Sequence, residues 1–426
     1  MNWKPWAILA LLMLASIVSF VDRQVVAIVV EPMKSDLGIS DTEVGWLYGV
    51  FAVFYALAAW PIAFLADQKS RKHIIATGIF FWSIMTVLCG LSRQYWQILA
   101  ARVGVGVGEA SLGPATVSIV GDLFPRKEVP LALSVFQTAA VMGSGLAFII
   151  GGLVLELVQV GEPMRIPFVG DIAPWQQTFI YVGLPGLLLA VIFLFLKEPT
   201  RRLATSGGDS LATLKSFYRT NAKLLCLHHF GFLSFALVGY AFVFWSVSYF
   251  VRVHGIDAAS AAQTFGWIFL LTGPIGPVLA AMSARWLTSR GRRDGNIVAG
   301  MVAGCLALPA IIAIQFAPNE TIAYLLYVPA MIFVNAPFGL ANGSLPVISP
   351  PQIHAQVAAV YLFVVSIGNL LGPPMAGFFN EVVYPDLGGV RYSIITVCVV
   401  FGIVGSVLLS LARKPYAEAW RVADES

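Results

Sequence analysis

The feature that most constrains this chain is a series of twelve long apolar stretches separated by short polar segments. A helix needs about 20 apolar residues to cross the hydrocarbon core of a bilayer. In lipid, only helices and closed barrels satisfy all their backbone hydrogen bonds. Barrel strands alternate apolar and polar residues, whereas these stretches are apolar throughout. The sequence therefore predicts an all-α polytopic membrane protein with twelve transmembrane helices.

The composition supports a lipid environment. Of the 426 residues, 58% are hydrophobic and only 11% are charged, whereas a soluble domain carries about 25% charged residues. The net charge of +4 does not indicate a nucleic-acid partner. The four cysteines lie far apart, and the chain has no Cys/His cluster, nucleophile motif or cofactor loop. We therefore expect no metal, no cofactor and no enzymatic activity.

The apolar stretches fall into two groups of six. The first group lies at 6–30, 43–66, 73–92, 95–121, 130–158 and 175–196. The second group lies at 223–251, 259–287, 295–316, 321–346, 355–380 and 391–412. This spacing predicts six-helix bundles over 1–196 and 223–412, a cytoplasmic linker at 197–222 and a cytoplasmic tail at 413–426.

The predicted linker combines charges with regularly spaced apolar residues. Leu211, Leu214, Phe217 and Tyr218 recur at helical spacing among lysines and arginines. This pattern is typical of a short helix that lies in the membrane interface. An ordinary solvated linker is the alternative, and the sequence does not choose between the two.

Lysine and arginine predict the orientation of the helices. Of the 26 such residues, 19 fall on the side of the N-terminus and 5 on the opposite side. Cytoplasmic loops carry the excess of positive charge in membrane proteins. We therefore expect a multi-pass protein of the cell (inner) membrane with both termini in the cytoplasm.

Four charged residues lie inside predicted spans of the first half, namely Asp22, Arg23, Arg102 and Glu109. Each costs about 2.5–3.5 kcal/mol at a helix centre on insertion scales, and such residues usually mark a substrate or proton pathway. Protonation of one carboxylate would release an arginine to hold an anionic group. The second half shows no such charge, which favours a proton-handling half facing an apolar half. A permanent buried salt bridge that only locks the helices together is the alternative.

The seventh span is rich in aromatic residues. We consider Tyr240, Phe244 and Trp245 as candidates for a pocket that holds an apolar tail. Aromatic side chains that face lipid are the alternative explanation of this pattern.

The segment AFLADQKSRK, from Ala63 to Lys72, resembles the loop signature of the major facilitator superfamily. Asp67, Arg71 and Lys72 match that signature. The resemblance implies two six-helix repeats and a charge cluster that closes the cytoplasmic side. A weaker copy in the second half carries Ser289 where the signature has an aspartate.

A narrower resemblance is to the Spinster branch of that superfamily. It rests on the segments FVDRQVVA, RVGVGVGEAS, GDLFP, LALSVF and GSGLAFIIGG. The resemblance implies a transporter of lysolipids or sphingoid lipids. It further implies that Asp22 and Glu109 carry protons and that Arg102 contacts the headgroup, with Arg23 beside them.

Together these observations predict a proton-coupled secondary transporter of a lysolipid or sphingolipid-like amphipathic molecule. We expect it to act as a monomer, with the bilayer, protons and the lipid as its partners. Three alternatives remain open at this point: a transporter of another organic anion or drug, an uncoupled facilitator, and a non-transporting membrane receptor.

Overall fold

The computed structural model describes residues 3–125, 127–161, 164–167, 170–199, 210–386 and 388–425. Eight helices precede the predicted linker: α1 (Trp3–Ile28), α2 (Val30–Leu37), α3 (Asp41–Gln68), α4 (Arg71–Leu91), α5 (Tyr95–Glu109), α6 (Leu112–Leu123), α7 (Val129–Val160) and α8 (Pro174–Phe195). Eight more begin at Ser210, the first of them inside the predicted linker: α9 (Ser210–Thr220), α10 (Ala222–His254), α11 (Ala258–Thr272), α12 (Ile275–Ser289), α13 (Gly295–Gln315), α14 (Glu320–Ile348), α15 (His354–Phe378) and α16 (Gly389–Glu425). A 3₁₀ turn (Pro351–Ile353) precedes α15, and a π turn (Phe379–Val383) follows it.

Twelve spans in the described part of the chain are long and apolar enough to cross a membrane. The predicted fold class is therefore confirmed. The span predicted at 95–121 is present as one span, Tyr95–Leu123, which two helices form. Helix α16 continues through the predicted tail to Glu425. A helix, α9, is present in the predicted linker, whereas residues 200–209 lie outside the described residues.

Prolines explain the breaks inside two of the spans and the break at the end of the first. Pro114 cannot donate a hydrogen bond to the carbonyl of Ala110, so α5 and α6 separate at Ala110–Ser111. Pro32 has the same effect after α1, and Pro274 separates α11 from α12. The break after α5 directly follows Glu109, and it therefore shapes the candidate site.

A two-stranded antiparallel hairpin was not predicted from the sequence. Strand β1 (Met164–Ile166) pairs with β2 (Gly170–Ile172), and Arg165 lies opposite Asp171. Three-residue strands carry too little periodicity to be recognised among long apolar helices.

By internal contacts the chain divides into two units, Met1–Leu203 with Phe244–Leu270, and Ala204–Val243 with Leu271–Ser426. The core of the first unit includes Leu12, Trp82, Val105, Ile119 and Phe193. The core of the second unit includes Phe232, Phe235, Leu345, Val365 and Leu409. Each unit therefore has its own packed interior.

Candidate functional site

The four predicted charges come from two neighbouring parts of the first unit. Helix α1 carries Asp22 and Arg23, and α5 carries Arg102 and Glu109. Asp22, Arg102 and Glu109 are almost completely buried, with 0%, 0% and 1% of their surface exposed. The structure therefore places ionisable groups in the interior of the unit, where charge is costly unless it is paired.

Glu109 forms an ion pair with Arg23. The Arg23 Nε atom lies 2.6 Å from Oε2 of Glu109, and the Ser19 hydroxyl donates to the same oxygen at 2.6 Å. The second carboxylate oxygen, Oε1, is buried without a hydrogen-bond partner among the described residues. One side of this carboxylate is therefore held, and the other can accept a proton.

Aromatic rings surround the Arg23 guanidinium. Its carbon lies 5.0 Å from the ring centre of Phe20, 4.8 Å from that of Phe51 and 4.9 Å from that of Tyr55. Ring faces attract a cation at these distances. The rings therefore hold a positive charge in place even when Glu109 is neutral.

Arg102 has a different environment from Arg23. It donates to the backbone carbonyls of Leu47 at 3.3 Å and Asp22 at 3.1 Å, and it lies over the Phe51 ring at 5.2 Å. Its Nη2 atom is buried without an acceptor among the described residues. The expected pairing of two arginines with two carboxylates is thus formed only once, between Arg23 and Glu109.

Asp22 is the least compensated group of the site. Both oxygens of its carboxyl group are buried, and neither has a hydrogen-bond partner among the described residues. Its backbone carbonyl, rather than its side chain, receives the bond from Arg102. An ionised carboxylate in such surroundings carries a large desolvation cost, which the nearby charges of Arg102 and Arg23 offset only in part.

Glycines in α5 allow the neighbouring helices to approach the site closely. A Cβ atom at Gly106 would lie 2.5 Å from the carbonyl oxygen of Phe51 in α3. A Cβ atom at Gly108 would lie 2.8 Å from the Trp82 side chain in α4. These small residues therefore permit close helix packing in this unit.

The predicted cytoplasmic gate residues are placed only in part. The side chain of Asp67 lies outside the described residues. Arg71 pairs with Asp122 and Glu198 and donates to the Ser118 hydroxyl at 3.0 Å. Lys72 donates to the carbonyl of Leu194 at 3.0 Å. Burial acts to raise the pKa of Glu198, but bonds from Ser70 and Arg71 outweigh it and lower this pKa.

Two of the candidate aromatic residues of α10 are packed inside protein. Phe244 and Trp245 are buried, so the alternative that they face lipid is wrong for both. In the first unit, Phe244 contacts Tyr48 with ring centres 4.8 Å apart. In the second unit, Tyr240 contacts Phe338 at 5.8 Å. The tail pocket stays a prediction.

Two polar clusters were missed by the sequence analysis. In the first unit, Arg252 bonds to Glu31 at 2.8 Å and to both carboxylate oxygens of Asp41 at 2.5 and 2.8 Å. In the second unit, His228 and His229 are buried within the span formed by α10. The second half is therefore less apolar than predicted. Two adjacent histidines in an apolar stretch were the available signal.

No group of three or more metal-ligating side chains occurs in the described ranges of the chain. The polar atoms of the candidate site are carboxylates, guanidiniums and hydroxyls on membrane-spanning helices. Such a set can bind and release protons and anions, as the sites of membrane transporters do.

A profile for the Major Facilitator Superfamily matches residues 12–373. The chain belongs to that superfamily, and it is a multi-pass membrane protein.

Spinster proteins are among its relatives. The chain is 27% identical over 399 residues to sphingosine-1-phosphate transporter SPNS2 of Mus musculus, with 88% of this chain and 69% of the mouse protein covered. It is 30% identical over 337 residues to protein spinster homolog 1 of Xenopus tropicalis, with 74% of this chain and 61% of the frog protein covered. The chain thus spans about three fifths of the frog protein.

Solved structures agree with this assignment. A bacterial homolog of the human lysosomal transporter Spinster, solved in an inward-facing and occupied conformation, is 26% identical with a TM-score of 0.84. The match covers 98% of this chain and 99% of the bacterial protein. A D-xylose-proton symporter shares the fold, with 14% identity and a TM-score of 0.75. The chain is a major facilitator transporter of the Spinster type, as its motifs predicted.

Proposed function

We propose that the protein is a proton-coupled secondary active transporter of a lysolipid or sphingolipid-like molecule, working by alternating access. The observation that carries this proposal is the buried Asp22 carboxyl group, which has no donor among the described residues. It lies in a site whose only ion pair among the described residues joins Arg23 to Glu109.

Proton binding at Asp22 removes a charge that its surroundings compensate only in part. The neutral acid costs less free energy to bury than the carboxylate, because burial and the nearby Glu109 carboxylate disfavour a second negative charge. Asp22 therefore exchanges a proton with solvent only when the site opens to water. This requirement ties the protonation of Asp22 to the conformational cycle.

Proton binding at Glu109 changes the availability of Arg23. The ion pair at 2.6 Å loses its Coulomb attraction when the carboxylate becomes neutral. Arg23 stays charged and is held over the rings of Phe20, Phe51 and Tyr55. Its guanidinium then becomes available to an anionic headgroup, with which arginine forms bidentate hydrogen bonds.

The substrate class follows from the arginines and the relatives. Arg102 Nη2 has no acceptor among the described residues, and a phosphate or carboxylate oxygen would supply one. Mouse and zebrafish relatives are named sphingosine-1-phosphate transporters, which supports an anionic lipid. Tyr240, Phe244 and Trp245 are our candidates for contacts with the apolar tail.

The remaining predictions complete this proposal. We place both termini in the cytoplasm and the protein in the cell (inner) membrane as a monomer. We keep the two bundles at 1–196 and 223–412, with the linker and tail as predicted. Asp67, Arg71 and Lys72 form the cytoplasmic gate, and Arg71 contributes through its ion pairs with Asp122 and Glu198.

The test is uptake of a labelled lysolipid into liposomes that contain the purified protein, with and without a pH gradient. Wild type is compared with Glu109→Gln and Asp22→Asn. As a matched control we choose Glu320→Gln, which changes an exposed carboxylate in the first turn of α14. We expect the gradient to drive uptake in wild type and the control, and neither site variant to respond to it.

Lysolipid uptake by wild type that ignores the gradient would remove proton coupling and leave an uncoupled facilitator. No lysolipid uptake at all would remove the lipid substrate but leave the family assignment.

A second candidate is an organic anion without a lipid tail. A probable L-galactonate transporter of Escherichia coli is 24% identical over 392 residues, with 87% of this chain and 82% of that protein covered. The two arginines of the site suit a sugar acid as well as a lipid headgroup. A competition experiment decides between the two candidates. Excess sugar acid should block uptake of the labelled lysolipid only if the sugar acid is a substrate.

A further inference from the structure

A continuous row of polar groups crosses the second unit near the start of α10. The Tyr218 hydroxyl of α9 lies 3.1 Å from Nε2 of His229. The Nδ1 atoms of His229 and His228 lie 3.1 Å apart. His228 Nε2 lies 2.7 Å from the hydroxyl of Ser344 in α14. Both imidazoles therefore have a partner at each ring nitrogen.

The arrangement of protons in this row is restricted by its contacts. The Ser344 hydroxyl also lies 2.8 Å from the carbonyl oxygen of Ala341, which can only accept. When Ser344 donates there, His228 Nε2 must donate to Ser344. His228 Nδ1 then accepts from His229 Nδ1, and His229 Nε2 accepts from Tyr218. In this neutral state every donor has one acceptor.

The row can also hold one additional proton without losing a hydrogen bond. The proton forms an N–H bond at His229 Nε2, and Tyr218 turns its hydroxyl to accept it. His229 Nδ1 continues to donate to His228, and His228 Nε2 continues to donate to Ser344. A second additional proton has no place, because two N–H bonds would then point at each other between the rings. The geometry therefore admits one proton per histidine pair.

The surroundings of the pair contain hydroxyls and rings rather than charges. The Tyr361 ring of α15 lies 5.7 Å from that of His228 and 5.5 Å from that of His229, edge to face. The Tyr416 hydroxyl of α16 donates to the backbone carbonyl of Ser344 at 2.9 Å. On α9, Lys215 and Arg219 are exposed rather than buried beside the pair. No carboxylate contacts either histidine among the described residues, so no negative charge stabilises the protonated form and burial favours the neutral pair.

The linker helix gives the pair a route to solvent. Tyr218 is half-buried, whereas His228 and His229 are buried at 0% and 4% exposure. Burial raises the pKa of Tyr218 to about 12, so its hydroxyl keeps its proton at neutral pH. A proton that reaches the pair from α9 must therefore pass the Tyr218 hydroxyl.

We propose that His228 and His229 form a second proton-binding site, in the second unit, which holds a single proton and exchanges it through Tyr218. This site does not depend on whether Asp22 and Glu109 couple protons to transport. A bond from a positively charged His229 to Tyr218 is stronger than the neutral bond that it replaces. Proton binding therefore tightens the contact between α9 and α10.

The test is ring-nitrogen NMR of histidine-labelled protein in nanodiscs, titrated from about pH 8 to about pH 3. This range extends below the usual histidine titration because a buried positive charge without a counter-charge is disfavoured. Variants His228→Gln and His229→Gln assign the signals. At high pH we expect His228 to carry its proton on Nε2 and His229 on Nδ1. On acidification we expect the pair to gain one proton, with the new N–H at His229 Nε2.

Two variants show whether Tyr218 belongs to the site. In Tyr218→Phe the additional N–H of His229 loses its acceptor, so proton uptake should shift to lower pH. In Tyr181→Phe, which changes an exposed tyrosine of α8, the titration should match wild type. Two separately protonated rings, or no uptake over the range, would overturn the proposal. An unchanged titration in Tyr218→Phe would overturn the route through α9. None of these measurements involves transport, so they remain valid if proton-coupled transport fails its own test.

Discussion

The two units differ in how their buried polar groups are paired. In the first unit, two carboxylates and two guanidiniums are buried, and several of their atoms have no partner among the described residues. In the second unit, the His228–His229 pair is neutral by its contacts, and each of its ring nitrogens is hydrogen-bonded. A buried charge without a partner destabilises the folded protein, and binding of a proton or an anion removes that cost. A neutral row in which every group is hydrogen-bonded has no such cost to remove.

The two units should therefore respond differently to ligands and protons. The first unit gains most from binding a ligand, because Asp22, Arg102 and Glu109 each have an atom without a partner. The second unit changes its charge with little change in hydrogen bonding. The predictions below are ordered by the expected change in the free energy of unfolding, measured by reversible unfolding in mixed micelles.

The largest effect is expected for Arg23→Gln. This change leaves the Glu109 carboxylate buried with Ser19 as its remaining donor. Loss of one partner from a buried ion pair costs about 3–5 kcal/mol. The double variant Arg23→Gln/Glu109→Gln should recover most of that loss, because no charge is then left unpaired.

Arg165→Gln serves as the control for Arg23→Gln. Arg165 pairs with Asp171 on the exposed hairpin, where an ion pair contributes little. Equal losses in Arg23→Gln and in the double variant would show that the ion pair is not what stabilises this region.

A smaller loss is expected in the second unit for Ser344→Ala. The N–H of His228 Nε2 then has no acceptor, and a buried unsatisfied donor costs about 1–3 kcal/mol. Ser283→Ala is the matched control, because Ser283 is exposed and bonds to Leu279 within its own helix. If Ser344→Ala costs no more than the control, the row of hydrogen bonds is not a stable unit.

At the ends of the helices, the two units should behave alike. Burial acts to raise the pKa of Asp294, but bonds from Arg292 and Arg413 lower it, as Ser70 and Arg71 do for Glu198. Glu198→Gln and Asp294→Asn should each cost about 0.2–1 kcal/mol at neutral pH, since both carboxylates are partly exposed and screened by solvent.

The pH dependence of that loss has a defined sign. A carboxyl whose folded pKa is lowered stabilises the protein above its ordinary value, which is 4.5 for Glu198 and 3.8 for Asp294. The contribution disappears as the pH falls through the lowered value. Unfolding measured at neutral and acid pH should show both variants approaching wild type in acid. A loss that persists there would indicate that packing, not charge, is responsible.

The smallest effect on stability is expected for Asp22→Asn. Both Asp22 oxygens lack donors, so the neutral amide replaces a neutral acid of the same shape, and the change should stay within about 0.5 kcal/mol. The same variant should lose the response to a pH gradient. A large loss of stability would mean that Asp22 has an ionic partner in the folded protein.

Much of the site could be read from the sequence because charge inside an apolar span is unusual in itself. Asp22, Arg23, Arg102 and Glu109 were found in this way. Pairing could not be read, because it depends on the rotation of α1 relative to α5. The structure joins Glu109 to Arg23 rather than to Arg102.

The sequence by itself determined the number of spans, the helical class and the superfamily motifs. These depend on hydropathy and local backbone hydrogen bonding, both of which act over neighbouring residues. Only the tertiary structure decided which charges are satisfied. Arg252 meets Asp41 across 211 positions of the chain, and His228 meets Ser344 across 116. Contacts at such separations are fixed by how helices pack, and no local pattern in the sequence records them.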